Sequence, residues 1–210
     1  MDTGKAILEI ENGKYDNQLL DVYIDESKID YQKSRYIASI KEYVNIFGDD
    51  DIEIYSAPGR SEVGGNHTDH QHGEVLAASI NNDAIAIVHK AEDGQVKIAS
   101  EGYGLIVVDI NDLDMVEEEK ETTISLIKGV LFKAKDMGYN IGGFKAYITS
   151  DVLIGAGLSS SAAYETLIGT IISGLYNEMV AEYQNIMNRI FGTGACNVLK
   201  IRAYSGMKIL

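Results

Sequence analysis

The feature that most constrains this chain is a predicted buried strand that runs directly into a glycine–serine loop and then an apolar helix. Residues 153–176 have the sequence LIGAGLSSSAAYETLIGTIISGLY. The glycines permit positive φ angles and a close approach of the backbone to a ligand. The three serines stand at the first turn of the helix, where free amides and the helix dipole favour an anion. This pattern is typical of a phosphate-binding loop, in which serine hydroxyls add hydrogen bonds or a ligand for Mg²⁺.

A structural explanation of the same loop competes with phosphate binding. Glycines often end strands and serines often cap helices, which would suffice for a generic G-x-G-x-S segment. The stretch GAGLSSSAA is longer and more specific than that. It lacks the lysine of the G-x-x-x-x-G-K-[ST] loop and the third glycine of the G-x-G-x-x-G dinucleotide fingerprint. The sequence therefore predicts a phosphate loop of a different type from these two.

Hydrophobic periodicity elsewhere predicts an α/β fold, α+β-like with two layers, in which a mixed β-sheet packs on helices. One helix should end at Gly48, and another should run from a capping Thr122 to about Gly138. A turn is expected at Asn81–Asp83. Strands are predicted near 52–55 and at 75–87, 96–98, 105–110 and 146–154. The helix after the loop should bury Ala162, Leu167, Ile168, Ile171, Ile172 and Leu175.

Composition limits the classes of partner. The 210 residues carry a formal net charge of −14, so we expect neither nucleic-acid nor membrane-surface binding. Cys196 is the single cysteine, which excludes an intrachain disulfide and fits a cytoplasmic protein. The N-terminus lacks the features of a secretory signal, and no apolar stretch is long enough to span a bilayer. The single proline and the absence of a flexible linker favour one domain.

A second polar segment, APGRSEVGGNHTDHQHG at 57–73, follows a predicted strand. Arg60 is a permanently charged donor that can orient a carboxylate or offset phosphate charge. Asn66, His67 and Asp69 are close together among glycines, and such a cluster can hydrogen-bond the hydroxyls of a monosaccharide. A solvated turn and a transition-metal site are the alternatives, and the histidine spacing matches no standard metal motif. The metal ligands would be His67, Asp69, His70 and His72.

Together, APGR…GGNHTDHQHGEVLAASIN and GAGLSSSAA resemble the motifs of the galactokinases, which belong to a superfamily of sugar and isoprenoid kinases. The two motifs have the family's order and spacing, and the similarity covers nearly all of residues 30–177. The resemblance implies that residues 1–177 form the N-terminal kinase lobe. It also implies the activity: ATP, with Mg²⁺, phosphorylates galactose at the C1 hydroxyl.

The resemblance also assigns roles to individual residues. Arg60 would stabilise the transition state, and Ser161 would ligate Mg²⁺. Many members have Glu and Asn where this chain has Asn66 and Glu62, and Asn66 keeps hydrogen-bonding capacity without the charge. The galactose-binding residues would be Asn66, His67, Thr68 and Asp69. The ATP-binding residues would be Ser100, Gly155, Ala156, Gly157, Leu158, Ser159, Ser160 and Ser161.

The resemblance breaks after Asn177. No aspartate follows Asp151 in the sequence, so the family's aspartate near the attacking hydroxyl has no counterpart. The glutamate that completes the family's Mg²⁺ site is also missing. Residues 178–210 instead resemble the family's last helix and strand. We therefore expect an internal deletion at Asn177–Glu178, with residues 178–210 packing back on the kinase lobe; a gene-model artefact is the alternative.

The expected deletion bears on activity. It predicts negligible turnover by this chain alone, and a non-catalytic remnant that binds sugar or nucleotide is the alternative to an enzyme. Removal of a lobe would also expose an apolar face, which favours self-association.

Overall fold

The computed structural model describes residues 1–65, 74–153, 155, 157–177 and 207–208. Short 3₁₀ turns occupy Glu26–Lys28 and Glu117–Glu119. The helices are α1 (Thr3–Glu11), α2 (Asp16–Tyr23), α3 (Ile29–Phe47), α4 (Thr123–Asp136) and α5 (Ser160–Tyr176). The strands are β1 (Glu53–Gly64), β2 (Leu76–Ala91), β3 (Gln95–Ser100), β4 (Leu105–Asp109), β5 (Gly143–Ser150) and β6 (Met207–Lys208).

These strands form one mixed sheet in the order β4-β3-β5-β2-β1-β6. The β3–β5 pair is parallel, and the other neighbouring pairs are antiparallel. The predicted α/β class, with a mixed sheet packed on helices, is confirmed. Helices cover both faces of the sheet, so the fold has three layers where the sequence predicted two. The residues of 178–210 other than β6 lie outside the described part of the chain.

The first face of the sheet packs against α1, α2 and α3 and is rich in tyrosine. Gly48 ends α3 with a φ of 89°, and its N–H donates to the carbonyl oxygen of Val44. Glycine adopts this positive φ angle without a steric penalty, which explains why the helix ends where the sequence predicts. The buried residues of this core include Ala6, Leu19, Tyr23, Tyr36, Ile40, Tyr43, Ile54, Ile85 and Ile87.

The second face packs against α4 and α5. The hydroxyl of Thr122 accepts a hydrogen bond from the backbone N–H of Ser125 and caps α4, as predicted. Among the residues predicted to be buried in α5, Ala162 is exposed and its neighbour Ala163 is buried. The buried residues of this core include Ala86, Val88, Ile98, Ile127, Leu131, Phe144, Ala146, Leu167, Ile168 and Ile171.

The predicted turn at Asn81–Asp83 is wrong, because β2 continues through these residues. The register with β1 shifts there, from Pro58 opposite Asp83 to Arg60 opposite Ser79, so the segment is a bulge in a continuous strand. The polar side chains serve long-range contacts instead of a turn. Asn81 donates to the carbonyl oxygen of Tyr23, 3.1 Å away, and Asp83 is completely buried.

Within the residues that the structure covers, no helix has both the length and the apolarity that crossing a membrane requires.

Candidate phosphate-binding site

The glycine–serine loop has the backbone conformation that its sequence predicts. Gly155 and Gly157 have φ angles of 76° and 71°, which glycine tolerates best. Ser159, with a φ of 56°, is the N-cap of α5, and its side chain makes no capping hydrogen bond. Its carbonyl oxygen accepts the first helical bond, from the N–H of Ala163 at 3.0 Å. Because the first N–H groups of a helix have no partner within it, they are available to an anion.

A concave surface with a volume of about 410 Å³ lies over this loop. Three serines and two glycines of the loop line it, and hydroxyls and backbone amides are groups that suit phosphate oxygens. Glu165 brings a carboxylate to the same surface, one turn of helix after Ser161. The lining residues are Leu153, Gly155, Gly157, Leu158, Ser159, Ser160, Ser161, Ala162 and Glu165.

The loop is in direct contact with the strand that carries the second motif. The backbone N–H of Arg60 in β1 donates a 3.0 Å hydrogen bond to the carbonyl oxygen of Leu158. The preceding residue, Gly59, lies so close that an added Cβ would be 3.1 Å from that oxygen and from Val152. A larger residue at this position would therefore push the loop away from the strand. The glycine–serine loop and the first residues of the 57–73 motif are therefore neighbours in space.

The side chain of Arg60 is partly exposed, at 38% of its reference area. One terminal nitrogen lies 3.4 Å from a carboxylate oxygen of Glu62, which is 17% exposed. Glu62 is one of the two positions that depart from the galactokinase pattern. Its charge partly offsets that of Arg60, so the guanidinium faces a less positive surrounding than an asparagine at position 62 would leave.

A second cavity of about 500 Å³ adjoins the first, and Ser160 and Ser161 line both. Its walls bring together Ser100 at the end of β3 and Tyr164 in α5. Burial raises the pKa of Tyr164 to about 12, so its phenol is neutral at physiological pH. An apolar pocket with a few polar groups, beside a phosphate loop, has the shape and chemistry for a nucleoside. Its other lining residues include Ala84, Glu101, Ile106, Leu126, Ile148 and Thr149.

The structure brings Ser100, Arg60 and the described loop residues to one region of the molecule. The predicted sugar-binding residues cannot be placed: Asn66, His67, Thr68 and Asp69 lie outside the described residues, as do Ala156, His70 and His72. Within residues 1–65 and 74–177, as far as described, no group of three or more metal-ligating side chains occurs.

A largely buried cluster of Arg35, Asp83 and Asp151, which was not predicted from the sequence, lies at the start of the loop. Arg35 and Asp83 form a 2.8 Å ion pair, and Arg35 lies 3.1 Å from Asp151. One signal was present: Gln32, Arg35 and Ser39 are polar yet share the helical face of Tyr36 and Ile40. Polar residues on the apolar face of a helix indicate buried partners elsewhere.

Comparison with known proteins agrees with this geometry. The family model of the galactokinase galactose-binding signature matches residues 41–90, and the model of the GHMP kinase N-terminal domain matches residues 125–198. The galactokinase of Clostridium tetani is 34% identical over 138 residues, which are 66% of this chain and 35% of that protein. The galactokinase of Lactococcus lactis subsp. lactis is 35% identical over 143 residues, 67% of this chain and 36% of that protein.

The chain belongs to the galactokinase family. The crystal structure of Lactococcus lactis galactokinase complexed with galactose matches with a TM-score of 0.60 and 31% identity, over 72% of this chain and 42% of that one. Mevalonate kinase of Methanococcus jannaschii matches with a TM-score of 0.53 and 15% identity, over 75% of this chain and 53% of that one, which supports the fold alone. The chain spans little more than a third of the length of the two curated relatives.

Proposed function

We propose that this galactokinase-family chain binds ATP on the glycine–serine loop and galactose on the segment around residues 60–69, with negligible turnover by itself. The observation that carries the proposal is the 3.0 Å hydrogen bond from the N–H of Arg60 to the oxygen of Leu158. It joins the strand leading into the sugar signature to the loop suited to phosphate. A phosphoryl donor and a sugar acceptor must meet at such a junction.

In this proposal the nucleotide occupies both cavities. Its phosphates contact the amides and hydroxyls of Gly155–Ser161, with Ala156 among them, while the nucleoside enters the pocket between Ser100 and Tyr164. Arg60 offsets the charge that develops on the transferred phosphoryl group. Galactose is bound by Asn66, His67, Thr68 and Asp69, and its C1 hydroxyl is the acceptor.

Mg²⁺ is the expected companion of ATP, and the oxygen groups at the loop fit it. Ser161 and Glu165 line the same concave surface, and their side chains end in oxygen atoms, the ligands that Mg²⁺ prefers. Ser161 is the residue assigned to hold the ion. When bound, the ion would neutralise charge on the phosphate oxygens.

We expect low turnover because this chain lacks the aspartate that would orient or deprotonate the sugar hydroxyl. The sequence contains no aspartate after Asp151, and Asp151 itself is bound to α3 rather than directed at the loop cavity. A general base contributes about 10²–10⁴-fold to such reactions. The loss of this base together with a metal ligand should lower the turnover rate by at least that factor.

The test combines galactose titration calorimetry with a coupled assay of ADP release. We expect galactose binding, and galactose-dependent ADP release at least about 10²-fold slower than in a complete family member. Arg60→Ala should remove any residual turnover. Robust turnover by the purified chain would contradict the inactivity, and the absence of galactose binding would contradict the assigned substrate. Light scattering on the same sample tests the predicted self-association.

A further inference from the structure

A buried polar cluster lies between α3 and the sheet, behind the start of the loop. The side chain of Arg35 is 6% exposed and that of Asp83 is fully buried. Arg35 donates from one terminal nitrogen to a carboxylate oxygen of Asp83 at 2.8 Å, and from the other to the Asp83 carbonyl at 2.9 Å. The hydroxyls of Tyr23 and Ser56 donate to the second carboxylate oxygen of Asp83. The buried charges are thus paired and hydrogen-bonded, as burial requires.

Asp151, the first residue after β5, joins the start of the loop to this cluster. Its N–H donates to the carbonyl oxygen of Asp83 at 2.9 Å, and its own carbonyl accepts from the side chain of Asn82 at 3.2 Å. Its carboxylate makes a separate set of contacts. That carboxylate lies close to three side chains of α3: Tyr31 (2.9 Å), Gln32 (3.3 Å) and Arg35 (3.1 Å).

The same cluster lies beside the strand that presents Arg60. Asp83 is the register partner of Pro58 in β1, and the bulge between the strands begins immediately afterwards. Gly59 and Arg60 follow Pro58 and contact Leu158 in the loop. Displacement of the cluster would therefore shift the start of the loop and the bulged strand relative to each other.

We propose that Asp151, held by Arg35 and Asp83, is a positioning residue for nucleotide binding. It fixes the start of the glycine–serine loop relative to Arg60, so that the loop amides are held in place before the phosphates arrive. Preorganisation of this kind raises affinity because less ordering is required on binding. The inference rests on the proposed function, since that function assigns the phosphates to the loop.

The chain contains a matched control at the opposite ends of the same two elements. Asp50 accepts hydrogen bonds from the hydroxyl of Tyr43 in α3 at 2.9 Å and from Lys145 in β5 at 3.0 Å. Its side chain is 20% exposed, against 23% for Asp151. Both carboxylates thus link α3 to β5 with similar burial, but only Asp151 is next to the loop.

The experiment compares Asp151→Asn with Asp50→Asn in the full chain. Three quantities are measured: the thermal midpoint, the hydrogen exchange of amides in 152–163 without ligand, and the affinity for Mg·ATP by calorimetry. We expect comparable losses in thermal midpoint. Asp151→Asn alone should accelerate loop exchange and weaken Mg·ATP binding by about tenfold, the effect of losing a hydrogen bond to a charged group.

Tyr31→Phe and Tyr43→Phe form a milder pair, since each removes one hydroxyl from one of the two carboxylates. They replace the aspartate pair if Asp151→Asn does not fold. Tyr31→Phe should then be the variant that accelerates loop exchange and weakens Mg·ATP binding, with smaller changes than Asp151→Asn. The proposal would be overturned if the two variants of the pair that folds, aspartate or tyrosine, changed loop exchange and Mg·ATP affinity equally. Failure of the wild-type chain to bind Mg·ATP would instead contradict the proposed function. In that case, faster loop exchange in only the variant that alters the Asp151 contacts would still support loop positioning by Asp151.

Discussion

The two faces of the sheet achieve their packing in different ways. Against α1–α3, the core combines tyrosines with the buried side chains of Gln32, Arg35, Ser39 and Asp83. Against α4 and α5, the buried cluster consists of aliphatic residues, Phe144 and Tyr55. Hydrogen bonds and ion pairs are directional, whereas the hydrophobic effect is not. The polar face therefore determines how the loop and β1 are oriented, while the apolar face supplies buried area and leaves room for the two cavities at its edge.

The largest expected effect follows from breaking the polar face. Arg35→Met would leave the carboxylate of Asp83 buried without its cation, which should cost about 3–5 kcal/mol in the free energy of unfolding. Lys133→Met is the control, since Lys133 forms an exposed pair with Asp136 at 2.7 Å and should lose less than about 1 kcal/mol. Urea denaturation measures the free energy of unfolding of both variants. Similar small losses in the two would show that the cluster contributes little to stability.

Two glycines of α5 test how tightly the apolar face is packed. A Cβ at Gly174 would overlap the hydroxyl end of the buried Tyr55 ring, whereas a Cβ at Gly169 would lie 4.0 Å from the side chain of Val130, an ordinary contact distance. Gly174→Ala should therefore destabilise the chain by about 1–3 kcal/mol. Gly169→Ala should stabilise it by about 0.5–1 kcal/mol, the usual effect in a helix. The same sign of change in both variants, measured by urea denaturation, would contradict this packing.

Alkaline pH tests the apolar face through Tyr164. Burial raises the pKa of its phenol to about 12 from an ordinary value of 10. A raised pKa means that the folded state retains the proton longer, so this stabilisation is complete below pH 10 and is lost as the pH rises towards 12. Tyr164→Phe should reduce the fall in denaturation midpoint between pH 9.5 and pH 11.5, values chosen around that window. An unchanged fall would show that the phenol is not buried in this way.

Acid pH tests the polar face through Asp50, with the smallest expected effect. Burial opposes the charge of Asp50, but hydrogen bonds from Lys145 and Tyr43 outweigh it and lower the pKa of this carboxyl. Its stabilisation is therefore present above the unfolded pKa, about 3.9, and is lost as the pH falls through the folded value. Asp50→Asn should remove about 1 kcal/mol at neutral pH and less in acid. A loss that does not depend on pH would contradict this assignment.

Local signals in the sequence were sufficient for much of the fold. Gly48 ends α3, Thr122 caps α4, and the glycines of the loop take positive φ angles because each feature depends on residues within one or two turns. Family membership was also predictable, since both motifs are contiguous.

Long-range contacts explain what the sequence could not provide. Asn81–Asp83 has the composition of a turn, but the ion pair of Asp83 with Arg35, far away in the chain, favours a bulged strand. The position of Ala163 in the core depends on where α5 begins, and one residue changes which alanine faces inward. The cavity between Ser100 and Tyr164 required β3 and α5 to meet, which no local pattern predicts.

Titration of Mg·ATP into the full chain by calorimetry tests the central claim that the glycine–serine loop holds a nucleotide's phosphates. The variant Gly157→Ala is the comparison, because a side chain at a φ of 71° is strained and changes the direction of the loop amides. We predict saturable binding by the wild-type chain and at least about tenfold weaker binding by the variant. Equal affinities, or no binding by the wild-type chain, would contradict the account.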